Sequence, residues 1–364
     1  MTSMTPSPVA KGQLRSHVVT ISAVIFAIAL IFFFASSIQQ RLSAIGLGVS
    51  FDYLLAPAGF SLAQSIIPLP PGSSNLAAIG VGLANAMVVA LVAIIGSTLL
   101  GLLAALARLS SNPLAARIGR FYVNVVRNVP LLVFLVFLYL AFLSLPSPRV
   151  AAPILGSFYF TNRGIVVPGP EFSPLWTAVG FLLLLICLCA RFMPSRPRLL
   201  ISTMFSVAVV IILGTARYQV PSLVGFSIKG GATLSNEFAA MAFGIAFYFG
   251  AEMAEVIRAG ILSVPRAQSE AAAALGLRRS AAFRLVIAPQ ALRLAIPPTI
   301  NVYVNIIKST PLGVAVGYAE IMTVTYQIMQ NTGRAIESVI VLAIIFMAIN
   351  AACSALLNGL DRGR

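Results

Sequence analysis

Apolar residues in this chain come in long unbroken runs, unlike the alternation of a half-buried strand or the one-sided stripe of a surface helix. The runs lie at residues 18–36, 79–106, 122–145, 175–190, 199–213, 238–259, 294–317 and 338–357. A helix that crosses a bilayer needs about 20 predominantly apolar residues, so the pattern predicts about eight transmembrane helices and an all-α, polytopic membrane protein. The fourth and fifth runs are short, and the prolines and arginines of RFMPSRPR at 191–198 predict a tight turn between them. The first run follows Lys11 and Arg15 in the outline of a signal peptide. It is longer than an ordinary h-region, and FFFASSIQQ is a weak cleavage site, so it is read as a retained span. Residues 38–75 and 146–174 interrupt the apolar pattern with Pro, Gly and Ser and exceed common loop lengths. They are expected to cap the outer mouth of the bundle or to contact a partner.

Composition leaves no room for a large soluble domain. The chain is 59% hydrophobic and 9% charged, against about 25% charged in ordinary globular domains, and its mean hydropathy is +0.98. A net charge of +15 would suggest nucleic acid in a soluble protein, but in a membrane protein the placement of the charges matters more than their sum. With the N-terminus inside, the cytoplasmic side holds Lys11 and Arg15, Arg108, Arg117 and Arg120, Arg191, Arg196 and Arg198, the arginines from Arg258 to Arg293, and Arg362 and Arg364. The opposite side carries only scattered Arg41, Arg149, Arg163, Arg217, Lys229 and Arg334. The positive-inside rule therefore orients the chain with both termini in the cytoplasm, and the charge implies no nucleic-acid partner. Cys187, Cys189 and Cys353 all lie in apolar runs, without the second pair or nearby histidine that a metal site needs.

Catalytic chemistry is not apparent. The only histidine, His17, precedes the first run, which rules out a Ser-His-Asp arrangement and a His-based metal site. Lys308-Ser309-Thr310 has the end of a P-loop without the preceding Gly-rich turn after a strand. No catalytic residue, metal ligand or ATP site is assigned. Polar groups inside apolar runs are functional candidates because lipid solvates them poorly. Asn301, Asn305, Lys308 and Ser309 recur at near-helical spacing in the seventh run, and Glu252, Glu255 and Arg258 at i, i+3 steps in the sixth. The latter are expected to form a structural ion pair.

Residues 264–292 are the exception to the membrane pattern. Pro265 suits a first helical turn, residues 266–275 are Ala-rich strong helix formers, and Gly276 predicts a left-handed C-cap. Ser280 is placed to cap a second, basic helix at 281–288 that Pro289 ends. Ala271 to Ala274 carry little bulk, so another surface can approach their backbone closely. A loop that only connects spans has no need of such a hairpin, and Leu275, Leu277, Phe283, Leu285 and Val286 would stand exposed on it. The hairpin is read as a docking surface.

EAAAALG at 270–276, followed after nine residues by VIAP at 286–289, resembles the EAA loop of importer-type ABC permeases. The chain matches that pattern at Glu270, Ala271, Ala272, Gly276 and Pro289, and departs mildly at Val286 and Ala288. AEVIRAGILSVPRAQSEAAAALGL and ARLSSNPLAARIGRFYVNVVRNVPLL are similar to the polar amino-acid branch, and FDYLLAPAGFSLAQSIIPL, NRGIVVPGP and NTGRAIE to proteobacterial general L-amino-acid permeases with a long first half. Asn85, Arg127 and Asn128 match positions of that family.

The resemblance implies a type I ABC importer permease fold in residues 76–364, with a periplasmic insertion, preceded at 1–75 by a tail, the first span and a periplasmic segment. It implies a bacterial inner membrane location, an ATPase dimer as partner, a second permease that is a different subunit, and a periplasmic amino-acid-binding protein. ATP and Mg would be bound by the ATPase, leaving this chain without a cofactor. Glu270 would contact the ATPase, Gly276 would set the bend, and Arg278 and Arg279 would add rim contacts. Asn301, Asn305, Lys308 and Ser309 would line the pathway, with Lys308 meeting a substrate carboxylate; Lys308 pairing with a protein carboxylate or snorkelling outward is the other reading. Glu252 and Pro311 depart from the family, and Pro311 is expected to kink the seventh span. The rival class is a secondary transporter, which would carry its own ionisable coupling site and need no docking hairpin.

Overall fold

The computed structural model describes residues 50–62, 65, 68–171 and 217–362, scattered positions between 22 and 37, and Thr203. The first predicted span lies largely outside the described residues, and those at 175–190 and 199–213 lie outside them apart from Thr203. The described helices are α1 (Asn75–Leu109), α2 (Pro113–Arg127), α3 (Leu131–Leu143), α4 (Asn236–Leu262), α5 (Arg266–Ala274), α6 (Arg279–Ala282), α7 (Ala288–Ser309), α8 (Ile321–Thr332) and α9 (Ala335–Arg362). A π-helical turn, Phe283–Ile287, joins α6 to α7, and a 3-10 turn, Thr310–Val316, extends α7. Among the described residues four helices are long and apolar enough to cross a membrane, or up to five if the bent pair α2 and α3 counts as one.

Helix α1 is apolar on every side, as suits a helix with protein on one face and lipid on the other. Its buried seam is made of small residues, among them Ala78, Gly82, Ala86, Ala93, Ser97 and Gly101, while Leu91, Ile95, Leu99 and Leu103 face outward. Helix α4 lies along that seam. A Cβ on Gly101 would sit 2.5 Å from Cβ of Met253, and one on Gly96 would sit 2.8 Å from Cβ of Ala246. The two backbones thus approach as closely as glycine permits. Such seams supply helix association in lipid, where an apolar surface alone does not favour protein over acyl chains.

Around α4 the core gathers Val89 of α1, Leu135 of α3, Met241, Ile245, Phe249 and Met253 of α4 itself, and Val302 and Ile306 of α7. Thr98 and Tyr303 join α1 to α7 through hydroxyls 2.9 Å apart. A second cluster, containing Tyr53, Ile79, Ile321, Val324 and Ile328, ties the segment before α1 to α1 and α8, with Val341 and Phe346 of α9 packed against it.

Two sequence expectations change. The run at 122–145 is not one continuous helix: α2 and α3 meet at an angle of 105°. Pro130 stands at the N-cap of α3, and the residue before a proline avoids the α conformation, so the ladder ends in Asn128-Val129-Pro130 although the surrounding residues stay apolar. The second helix of the hairpin does not stop at Pro289. That proline sits in the first turn of α7, after a π turn in which the Ala288 N–H donates to the Phe283 carbonyl. The wider hydrogen-bond spacing lets a residue without an N–H pass, and the helix runs from Arg279 to Val316. Pro311 opens the 3-10 turn, so the change of winding at the end of the seventh span starts there.

The segments at 159–171 and 217–234 also hold short antiparallel strands. β1 (Tyr159–Thr161), β2 (Gly164–Val167) and β7 (Ala232–Leu234) form one sheet, while β3 (Gly169–Glu171) pairs with β4 (Arg217–Gln219) and β5 (Ser222–Val224) with β6 (Ser227–Lys229). The buried Asn236 fastens this appendage to the start of α4 by donating to the Asn162 carbonyl at 2.7 Å.

Candidate functional site

The hairpin between α4 and α7 is built by local rules. Helix α5 follows Pro265 and ends in a Schellman closure: the Gly276 N–H donates to the Ala273 carbonyl at 2.9 Å and the Leu277 N–H to the Ala272 carbonyl at 3.1 Å. That closure needs a left-handed residue, and Gly276 has φ +75°. Helix α6 starts at Arg279 with Arg278 at its N-cap and no side-chain cap, so Ser280 does not cap it as the sequence suggested. Gln290 of α7 holds the two arms together, donating to the Val286 carbonyl at 3.0 Å and to Oε1 of Gln268 at 3.5 Å.

The exposed side of the hairpin carries Glu270, Ala271, Ala273, Ala274, Gly276, Arg278, Arg279 and Pro289. Leu275 is 80% exposed and Leu285 65%, which in water calls for a covering surface. Ala272 differs from its neighbours. It is 2% exposed and points inward, so among the matched residues it supports the hairpin from within and presents no surface of its own.

At the base of the hairpin α4 and α7 touch. A Cβ on Gly260 would lie 2.9 Å from both the Ala291 carbonyl oxygen and the Ala295 Cβ. Nearby, Glu255 gathers three arginines: Oε1 lies 2.8 Å from Nη1 of Arg108 and 3.5 Å from Nη1 of Arg127, and Oε2 lies 3.7 Å from Nη1 of Arg258. The Arg108 side chain is only 9% exposed. Its stem crosses α2 at Gly119, where a Cβ would meet the Arg108 Cγ at 2.8 Å. One carboxylate therefore ties the adjoining ends of α1, α2 and α4. Sequence reasoning found Glu255 and Arg258 but read Arg108 only as a topology charge; its place in the last turn of α1 was the available signal. Glu252 is not part of the cluster. It makes no ion pair among the described residues, and its Oε2 is buried without a hydrogen-bond partner.

On α7, Asn301, Asn305 and Lys308 share an exposed face, opposite Val302 and Ile306 in the core. Ser309 donates to the Asn305 carbonyl at 2.8 Å. Among the described residues Lys308 makes no ion pair with a protein carboxylate. Asn85 is fully buried and donates to the Ala319 carbonyl at 2.7 Å, a structural tie from α1 to the chain before α8.

Comparison with known proteins identifies the family. A family model described as the binding-protein-dependent transport system inner membrane component matches residues 178–364. The chain is 33% identical over 362 residues to the general L-amino acid transport system permease protein AapQ of Rhizobium johnstonii, covering 94% of this chain and 90% of that one. It is 31% identical over 372 residues to the putative amino-acid ABC transporter permease protein YhdX of Escherichia coli, covering 97% of this chain and 95% of that one. A crystal structure of an amino acid ABC transporter with histidines shares the fold at a TM-score of 0.52 and 21% identity, over 79% of this chain and 95% of its own. That likeness supports the type I importer permease fold expected from the sequence. The chain belongs to the binding-protein-dependent transport system inner membrane components and is a multi-pass ABC transporter permease of the inner membrane.

Proposed function

We propose that this permease carries amino acids inward, that its hairpin docks on a cytoplasmic ATPase dimer, and that a second, different permease completes the pathway. The observation that carries the reading is the Schellman-capped, Ala-faced helix α5, held out from the bundle between the two core helices α4 and α7. Relatives named for amino-acid transport align over nearly the whole chain and supply the substrate class. A periplasmic amino-acid-binding protein would deliver the substrate, and the ATPases would bind ATP and Mg, leaving this chain without a nucleotide site or cofactor. Both termini would face the cytoplasm, with residues 76–364 as the transport domain and 1–75 as an N-terminal addition.

The coupling follows from continuity. When the ATPases close, α5 moves with them, and its short connections pass the displacement to α4 and α7. Gly260 keeps those two backbones in contact, and Glu255 holds the ends of α1 and α2 to α4, so the helices tilt as a packed unit. Glu270, Ala271 and Ala273 would meet the ATPase surface directly, with Arg278 and Arg279 at the rim.

Two measurements test this reading. In the assembled complex, Ala273→Cys is expected to be shielded from a bulky water-soluble maleimide, and to label freely once the ATPase is stripped away. Ala272→Cys should label poorly in both states because that position is buried within the hairpin. Free labelling of Ala273→Cys in the intact complex would remove the docking role. For the pathway, Lys308 on the exposed face of α7 is assigned to the substrate carboxylate. Lys308→Met is expected to raise KM for amino-acid uptake about tenfold, the weight of one charged hydrogen bond. Unchanged uptake kinetics would return Lys308 to a snorkelling role.

A further inference from the structure

Helix α4 has 27 residues and so separates its two ends by about 40 Å. At the end away from the hairpin, residues of α3, α4, α8 and the 3-10 turn meet the segment before α1 and line an open cavity of about 340 Å³. Ligand pockets begin at about 300 Å³. Its polar lining is Ser61, Tyr139, Glu237, Thr323 and Gln327.

The lining is rich in acceptors. The Tyr139 hydroxyl donates to Oε1 of Glu237 at 3.2 Å, fixing the carboxylate on the wall. Oε1 of Gln327 is buried and has no hydrogen-bond partner. Among the described residues no Lys, Arg or His lines the cavity, and Glu237 makes no ion pair. Its place in the first turn of α4 is favourable for an acidic side chain. That explains why a carboxylate is tolerated there, but neither the cavity nor the unpaired Gln327 oxygen. A fixed negative charge among hydroxyl-bearing side chains is complemented by a compact cation with several donors. A primary ammonium has one positive charge and three N–H groups. A carboxylate placed against Glu237 would be repelled.

We propose that this cavity binds the primary ammonium group of the transported amino acid, with Glu237 as counter-ion and Tyr139 holding the carboxylate in place. The proposal rests on the amino-acid reading given above and adds where the amine is recognised. The cavity lies at the end of the bundle opposite the ATPase-docking hairpin, where a substrate delivered from outside would first meet the permease.

The test uses the complete complex in nanodiscs without binding protein, titrated with tritiated common L-amino acids. For whichever amino acid binds, its decarboxylated amine is expected to compete and its N-acetyl derivative to fail. Glu237→Gln keeps the shape and removes the charge, and should weaken binding about tenfold or more, whereas Glu237→Asp should retain most of it. Basal ATP hydrolysis and complex yield report whether the variants assemble. Equal competition by the N-acetyl derivative, or unchanged affinity in Glu237→Gln, would overturn the site while leaving amino-acid import standing. If the wild-type complex supplied with binding protein imports no L-amino acid, the substrate reading fails and this site fails with it.

Discussion

Glu255→Ala is expected to leave little stable permease. The carboxylate is the counter-ion of Arg108, whose side chain is 9% exposed and whose Nε has no hydrogen-bond partner. Removing one member of a buried pair strands the other charge, which costs about 3–5 kcal/mol when both are fully buried. Glu255 is itself 30% exposed, so water recovers part of this and about 2–4 kcal/mol is expected. The measurement is the fraction of monodisperse complex that survives a heating series in detergent. Removing both charges avoids the stranded cation, so Glu255→Ala combined with Arg108→Met should recover most of the loss. The exposed partners behave differently: Arg127 is 53% exposed and its pair with Glu255 spans 3.5 Å, a geometry worth about 0–1 kcal/mol. A Glu255→Ala protein as heat-resistant as the wild type would show that the cluster is ornamental and that packing alone joins these helices.

The contrast between Glu255 and Glu252 shows where sequence reading stops. Glu252, Glu255 and Arg258 follow one another at i, i+3 steps, and that spacing reads as one group although Glu252 stands six residues from Arg258. What separates them is which face of α4 meets α1 and α2, and that depends on the close contacts of Gly101 with Met253 and of Gly250 with Tyr122, between residues far apart in the chain. The apolar runs were legible because a lipid-spanning helix must be long and unbroken, and α1, α4, α7 and α9 fall where the pattern places them. The bend after α2 was partly visible in Asn128 and Pro130, but the run of apolar residues on both sides hid it. The strands were not legible at all. They are three or four residues long, and β2 pairs with β7, so the partners stand on either side of a long insertion. In the hairpin, Gly276 announced its left-handed turn, whereas the one inward alanine of the four could not be told from the others before α5 was seen against the π turn.

That distinction allows docking to be separated from folding. Ala273→Arg places a long charged side chain on the exposed face of α5 and adds positive charge beside Arg278 and Arg279. The hairpin itself should fold, because arginine is a good helix former and this position is not packed. A surface fitted to alanine cannot accept it without a clash or an unpaired charge, the two devices by which interfaces reject a wrong partner. Losing a central contact of this kind removes about 2–4 kcal/mol of docking free energy, or about 30- to 700-fold in affinity for the ATPase. Uptake should fall to background, while the permease extracts with normal yield and the ATPase, no longer held, elutes separately. Stability is the decisive control: a Glu255→Ala defect appears in heated permease alone, whereas an Ala273→Arg defect appears only when the ATPase is required. Retention of both uptake and ATPase binding in Ala273→Arg would mean that the exposed alanine face is not where force enters the membrane helices.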